Sequence, residues 1–267
     1  MIGVDEVGRG PLAGPVVAAA VASATEIIIP GILDSKQLKS IDRELLELQI
    51  KEKALAWAIG ETAPQRIDEI NILQATGEAM CSAIRKVLTY LGLYSIITSM
   101  EQIKDDCQRD SESGEPSPSA NYLGSINLIL KQYGARLDKC FVNHNLFQEG
   151  SVDSSPKPIL LIDGRIPDLG IIDQINIIKG DTVSFSIAAA SILAKVYRDR
   201  EMVVWDSIYP IYGFASNKGY GTRTHIEAIR KYGRRPIHRQ SFKIRSVCRQ
   251  SSPTEGKSNT MVSAEDD

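Results

Sequence analysis

Two adjacent carboxylates, Asp5 and Glu6, follow the apolar residues Ile2 and Val4 and run into a turn that reads Gly8-Arg9-Gly10-Pro11-Leu12-Ala13-Gly14-Pro15. Paired acids directly after buried apolar residues are rarely there for solvation alone, because an ionised carboxylate is costly to remove from water. A strand that ends in two acids and enters a loop whose glycines let the backbone approach a ligand is a frequent beginning for a metal-dependent phosphodiester site.

A chain of 267 residues with 43% hydrophobic residues can bury a substantial core in one large or two small domains. No repeat of solenoid length is visible, and the apolar runs are short and broken by Lys, Glu or Gly, so the chain reads as soluble and without a secretory signal. The cysteines, Cys81, Cys107, Cys140 and Cys248, are scattered without a Cys-x-x-Cys pair, as expected of reduced thiols in a reducing compartment. Net charge is only −2, but it is unevenly spread: Lys218 to Arg249 holds ten Lys/Arg against one acid, Glu227, and is therefore +9, leaving −11 elsewhere. A basic stretch beside a carboxylate site suits an enzyme that handles a polyanion through bound cations, although some of these charges will simply solvate a helix face.

Apolar spacing organises the rest. Ile2 to Glu6 and Val16 to Ala24 read as a hairpin, residues 42 to 59 as an amphipathic helix (Leu45, Leu46, Ile50, Ala54, Trp57), and Ile67 to Leu91 as a second helix bounded by Pro64. Ile159 to Ile162 and Ile171 to Ile178 read as buried strands ending in Asp163 and, after Lys179-Gly180, Asp181. Ser186 to Trp205 forms a long helix and Thr224 to Tyr232 a short one closed by Gly233. This alternation predicts an α/β fold with a mixed β-sheet flanked by helices and a C-terminal helical, basic extension. One domain over 1–249 is expected, interrupted by an insertion at about 92–157 whose residues 104–120 are Ser-, Pro- and acid-rich and read as disordered, as does the tail at 250–267. Tyr122 to Phe141 within the insertion has the composition of a helix.

Phosphodiester hydrolysis needs an activated water, charge stabilisation on the phosphoryl oxygens and help for the leaving alkoxide; two divalent ions roughly 4 Å apart supply all three and are held by carboxylates. Asp5, Glu6, Asp163 and Asp181 lie at strand ends or beside glycines, and gathering their like charges should cost stability until cations bind. Taken singly, Asp163-Gly164 reads as an ordinary turn and Asp181 as a helix cap. Asp199, four residues after Lys195 on a helix, reads as an ion-pair partner.

Taken jointly, the motifs resemble the type 2 ribonuclease H family, specifically ribonuclease HII of bacterial type. The resemblance rests on Asp5-Glu6 with the Gly8-Arg9-Gly10 turn, Asp34-Ser35-Lys36, Leu161-Ile162-Asp163-Gly164, Lys179-Gly180-Asp181, Ser186 through Lys195, Lys218-Gly219-Tyr220-Gly221-Thr222, and His225 through His238-Arg239-Gln240-Ser241-Phe242, all in family order. It implies a ribonuclease H-like catalytic domain in which Asp5, Glu6, Asp163 and Asp181 are the catalytic and metal-binding acids for Mg²⁺ or Mn²⁺, two ions in all. It implies that the backbone of Gly8, Arg9 and Gly10 senses a ribonucleotide 2′-hydroxyl and that Tyr220 stacks on the following deoxy sugar. Lys36, Arg9, Lys195, Lys218 and Arg239 are then phosphate contacts, with Ser35 and Ser186 as hydroxyl donors. The implied reaction is cleavage 5′ to a ribonucleotide in RNA/DNA hybrids and ribonucleotide-containing duplex DNA, by a monomeric cytoplasmic enzyme, or an organellar one if a segment precedes Met1. The insertion and Asn217, where relatives commonly have histidine, depart from the family pattern.

Other classes fit less well. Gly8, Gly10 and Gly14 have the spacing Gly-x-Gly-x-x-x-Gly, and Pro11 and Pro15 oppose a dinucleotide-binding helix start, while no Gly-Lys-Ser/Thr marks an NTPase loop. A nucleic-acid-binding protein of the same fold with impaired catalysis remains the alternative, separable by metal-dependent cleavage; a transposase-like nuclease is opposed by Tyr220 and the glycine turn.

Overall fold

The computed structural model describes residues 1–23, 29–32, 38–93, 140–142 and 158–244, with only the backbone path at 140–142. Strands β1 (Ile2–Val7) and β2 (Val16–Ala22) form the expected antiparallel hairpin around the glycine turn. Helix α1 (Ser40–Lys53), β3 (Ala56–Thr62), α2 (Pro64–Tyr90), β4 (Cys140–Val142), β5 (Leu160–Asp163) and β6 (Gln174–Ile177) follow. The described chain closes with α3 (Phe185–Ile208), α4 (Phe214–Asn217) and α5 (Arg223–Tyr232), with 3₁₀ turns at Gly180–Thr182 and Pro210–Tyr212.

The strands make one six-stranded sheet in the order β4-β3-β2-β1-β5-β6. The β1–β2, β2–β3 and β3–β4 pairs are antiparallel, whereas β1–β5 and β5–β6 are parallel, giving the mixed sheet expected. Strand period decides which layer each residue joins. On β2, Val16, Ala18, Ala20 and Ala22 pack under α2, while Val17, Ala19 and Val21 pack under α1 and α3. Both faces are covered, so β2 is buried throughout and reads as an unbroken apolar run. The small side chains matter, because β1 and α3 cross closely: a Cβ on Gly3 would lie 2.1 Å from the backbone carbon of Ser186. A third cluster, Ala13, Met202, Tyr212, Phe214, Ala228, Ile229 and Ile237, ties the glycine turn to α3, α4 and α5. No helix among the described residues is long and apolar enough to cross a membrane.

Three expectations are corrected. The helix expected over 42–59 stops at Lys53, and Ala56–Thr62 becomes β3, paired along β2 with Trp57 opposite Val21. Alternating Ala, Trp and Ile over a short span fits either period, and the unpaired edge of β2 decides for a strand. The strand expected over Ile171–Ile178 is shorter and not buried: β6 is the sheet edge, with Ile175 48% and Ile178 64% exposed. The helix expected over Tyr122–Phe141 ends in residues that belong instead to β4, with Cys140 opposite Ala58 and Phe141 opposite Trp57; its remainder, like segments 104–120 and 250–267, lies outside the described residues.

The second helix begins at Pro64, whose ring suits a first helical position. It is broken at Asn71, which has φ 70° and whose side-chain oxygen accepts the amides of Leu73 (2.9 Å) and Gln74 (3.2 Å), capping the longer half.

Candidate active site

The parallel neighbours β1 and β5 point their C-terminal ends the same way, so Asp5 and Glu6 emerge beside Asp163, one residue beyond the Val4–Ile162 pair. With Val7, Arg43, Ser191, Ile192, Lys195 and Tyr220 these three acids line a cavity of about 430 Å³. An oxygen of Asp163 accepts the Gly180 amide at 2.7 Å, which fixes that carboxylate to the 3₁₀ turn carrying Asp181. Asp181 itself is only 1% exposed and is not among the residues that line the cavity.

Burial pushes the Asp5 carboxyl up to about 7; hydrogen bonds from Ser191 and from the Glu6 amide (2.7 Å) oppose this, while the charges of Glu6 and Asp163 add to it. Glu6 is also raised, again chiefly by burial, and is held down by Arg9, whose guanidinium lies 3.2 Å away. Among the described residues no three His, Cys, Asp or Glu side chains are already gathered about one ion position. The chemistry of the donor set nonetheless fits a hard divalent cation: the ligands are carboxylate oxygens on an open cavity, and their mutual repulsion and desolvation are what a cation relieves.

The glycine turn touches two of the residues that line the cavity, Glu6 through Arg9 and Tyr220 through Gly10. Gly8 has φ +94°, and a Cβ there would lie 2.4 Å from the Arg198 side chain, so a glycine is needed on two counts. Gly10 faces Tyr220, with its would-be Cβ 3.7 Å from the ring. Tyr220 is 45% exposed beside the acids, and its carbonyl oxygen is held at 2.8 Å by Nδ1 of His225. The Nε2 of His225 meets the Nε2 of His238 at 3.1 Å, and the Nδ1 of His238 accepts the Arg235 amide at 2.9 Å. That acceptor assigns the protons: His238 carries its hydrogen on Nε2 and His225 on Nδ1, and both rings are neutral.

The ribonuclease HII family model matches residues 2–115 and 165–245. Ribonuclease HII of Lachnoclostridium phytofermentans is 40% identical over 240 residues, covering 90% of this chain and 68% of the relative. That of Chlorobium chlorochromatii is 40% identical over 252 residues, covering 92% and 90%. The chain belongs to the ribonuclease HII family. It is a hydrolase of the ribonuclease H type, an endonuclease acting on phosphodiester bonds, and the family generally uses divalent metals. Ribonuclease H2 of Pyrococcus horikoshii shares the fold with a TM-score of 0.52 at 22% identity, over 91% of this chain and 93% of that one.

Placed on this ribonuclease H fold, the residues singled out in the sequence divide. Asp5, Glu6, Asp163, Lys195 and Tyr220 meet at the cavity; of the glycine turn, Arg9 pairs with Glu6 and Gly10 faces the Tyr220 ring. Lys195 pairs with Asp199 at 2.8 Å, as the helical spacing predicts, and Nζ of Lys218 reaches the Asp199 carbonyl at 3.4 Å. Arg239 is corrected: it is fully buried and its guanidinium donates to the backbone oxygens of Gly8, Arg9 and Gly14, so it offers nothing to a phosphate. Ser186 is corrected likewise: it is buried where α3 crosses β1, its hydroxyl 3.1 Å from that of Ser184. Ser35 and Lys36 lie outside the described residues.

Ser191, Arg43 and Arg198 were not singled out. Ser191 was findable, since it precedes Lys195 by one helical turn and the two share the face turned to the acids. Arg43 reaches the cavity from α1 with one guanidinium nitrogen on the Leu38 carbonyl at 2.6 Å. Arg198 carried no local signal, because it sits among the charged residues Lys195, Asp199 and Arg200.

Proposed function

We propose that the cavity hydrolyses the phosphodiester on the 5′ side of a ribonucleotide, in RNA/DNA hybrids and in DNA duplexes with embedded ribonucleotides, leaving 3′-hydroxyl and 5′-phosphate ends. The observation that carries this reading is the convergence of Asp5, Glu6 and Asp163 from two parallel strand ends on a cavity that Tyr220 also lines, with Gly10 of the glycine turn against that ring.

Asp5, Glu6 and Asp163 would hold Mg²⁺ or Mn²⁺, with Asp181 reached through the Gly180 turn. Two bound ions supply an activated water and stabilise charge on the attacking and leaving oxygens. The protein's part is arrangement. Ser191 and the Glu6 amide favour the ionised form of Asp5, and the Gly180 amide orients Asp163. Lys195, steadied by Asp199, sets a positive charge on the cavity wall for a phosphate oxygen. The exposed Tyr220 ring offers a flat apolar surface to a sugar that lacks a 2′-hydroxyl, and the adjacent Gly8-Arg9-Gly10 backbone offers polar groups to one that has it. Such chemistry serves removal of misincorporated ribonucleotides and RNA primers, and a single chain in the cytoplasm suffices for it.

The test is an end-labelled DNA duplex carrying one ribonucleotide, incubated with Mg²⁺ or Mn²⁺ beside an all-DNA control. One cut 5′ to the ribonucleotide, with a 3′-hydroxyl on the upstream fragment, supports the reading. Binding without any cut under either ion would mean a nucleic-acid-binding protein of this fold.

A further inference from the structure

Two arginines, Arg198 and Arg239, are among the largest fully buried side chains of the protein, and neither forms an ion pair among the described residues. Leaving a buried cation without a counter-charge costs several kcal/mol, so their positions are not explained by stability alone. Their acceptors are backbone oxygens of the glycine turn. Arg239 donates to Gly8 and Arg9 (3.0 Å) and twice to Gly14 (3.0 and 2.8 Å). Arg198 donates to Ala13 (3.1 Å), Pro15 (3.0 Å) and Lys218 (2.9 Å).

The geometry of the trans peptide turns this into a statement about the opposite face of the loop. No peptide bond among the described residues is cis, so in each unit of the turn the C=O and the following N–H point in opposite directions. With the Gly8 and Arg9 oxygens drawn inward to one guanidinium, the N–H groups of Arg9 and Gly10 point outward. Arg9 and Gly10 are exposed, and neither amide donates to a partner among the described residues. The next residues do the reverse: Leu12 and Gly14 donate inward to the oxygens of Gly219 (2.8 Å) and Ile237 (2.9 Å). Arg198 adds the second coordinate, because a single guanidinium bridges Ala13 and Pro15 on the glycine turn to Lys218 on the loop that carries Tyr220.

We infer that Arg239 and Arg198 are the positioning residues of a ribonucleotide-reading edge: they aim the Arg9 and Gly10 amides at an acceptor oxygen of the substrate and set the distance from those amides to the Tyr220 ring. This rests on the substrate reading given under Proposed function. Pre-aimed donors need no reorganisation when the ligand arrives, and the carbonyls that would repel an acceptor oxygen are turned away from it. Lysine cannot replace either residue, since one ammonium cannot span carbonyls on both sides of a turn as a planar guanidinium does.

Two measurements on the full chain decide it. In the unmutated protein, amide hydrogen exchange at Arg9 and Gly10 should run at nearly the rate of an unstructured peptide, with Leu12 and Gly14 slower by at least about a hundredfold; protected Arg9 and Gly10 amides would overturn the inference. In Arg239→Lys, affinity for an all-DNA duplex should be unchanged while the preference for a duplex with one ribonucleotide falls about tenfold, the worth of one good hydrogen bond. An unaltered preference, or both duplexes weakened by the same factor, would show a merely structural arginine. Arg198→Lys gives the same readout should Arg239→Lys fail to fold. If the unmutated protein binds both duplexes equally, it is the substrate reading that fails, and the exchange rates alone decide the orientation of the loop.

Discussion

The Nε2 atoms of His225 and His238 lie 3.1 Å apart inside a wall made by Tyr212 and Phe214. Burial, then the neighbouring His225, Arg234 and Arg235, push His238 down to about 4, and burial lowers His225 as well. Two neutral imidazoles can share one proton between them; a second proton in that gap would set two N–H donors against each other beneath the Tyr220 loop.

A pH dependence follows. The unfolded chain binds a proton at His238 near the ordinary histidine value and the folded one only near 4, so stability is complete above about 6.5 and is lost as pH falls through 4. The shift corresponds to about 3 kcal/mol. Urea unfolding midpoints measured between pH 4 and 7 should fall on acidification, and His238→Asn should flatten that slope. An identical slope in the variant would mean that other groups carry it.

Asp5 acts in the opposite sense. Its folded value near 7 exceeds its unfolded one, so the stability it contributes is present below about 4 and is lost as pH rises through 7. In the metal-free protein at pH 8, Asp5→Asn should raise the unfolding midpoint, by at most about 4 kcal/mol of stability. Added Mg²⁺ or Mn²⁺ should stabilise the unmutated protein more than the variant. Equal stabilisation of both would remove Asp5 from the ion site.

Lys195 should contribute to duplex binding without choosing its sequence or sugar. Lys195→Met should weaken all-DNA and ribonucleotide-containing duplexes alike and lower the slope of log affinity against log salt by about one. The half-buried Lys195–Asp199 pair is an i, i+4 contact on one helix worth about 1 kcal/mol or less, so thermal unfolding should move little. A changed ratio between the two duplexes would assign Lys195 to discrimination instead.

Tyr220→Ala should cost little stability, because the ring is nearly half exposed. Cleavage at a ribonucleotide followed by deoxynucleotides should suffer most and cleavage within a long RNA/DNA hybrid least. Equal loss on both substrates would undo the stacking role.

How much of this was legible in the chain depended on whether local chemistry or tertiary contact decided each element. Asp5-Glu6 and Asp163 could be placed because an apolar run ending in an acid is a local pattern, and both lie at strand ends. The strand β3 could not, since Ala56-Trp57-Ala58-Ile59 obtains its conformation from the edge of β2 rather than from its own period. Arg239 was misjudged for a related reason. In a segment of net +9 an arginine reads as a phosphate contact, and only the folded chain shows this one buried under Gly8 and Gly14, with its face 5.0 Å from the Phe242 ring. Ser186 and Ser191 differ by less than half a helical turn in direction plus one turn in height, enough to bury the first and bring the second to Asp5.

The most direct measurement compares Asp163→Asn with the unmutated protein on one duplex carrying a single ribonucleotide, following cleavage with Mg²⁺ or Mn²⁺ and equilibrium binding together. Cleavage should be abolished while binding is retained, because the substitution removes a charged ligand yet leaves Tyr220 and the glycine turn intact. Undiminished cleavage would place the chemistry elsewhere and contradict the carboxylate site.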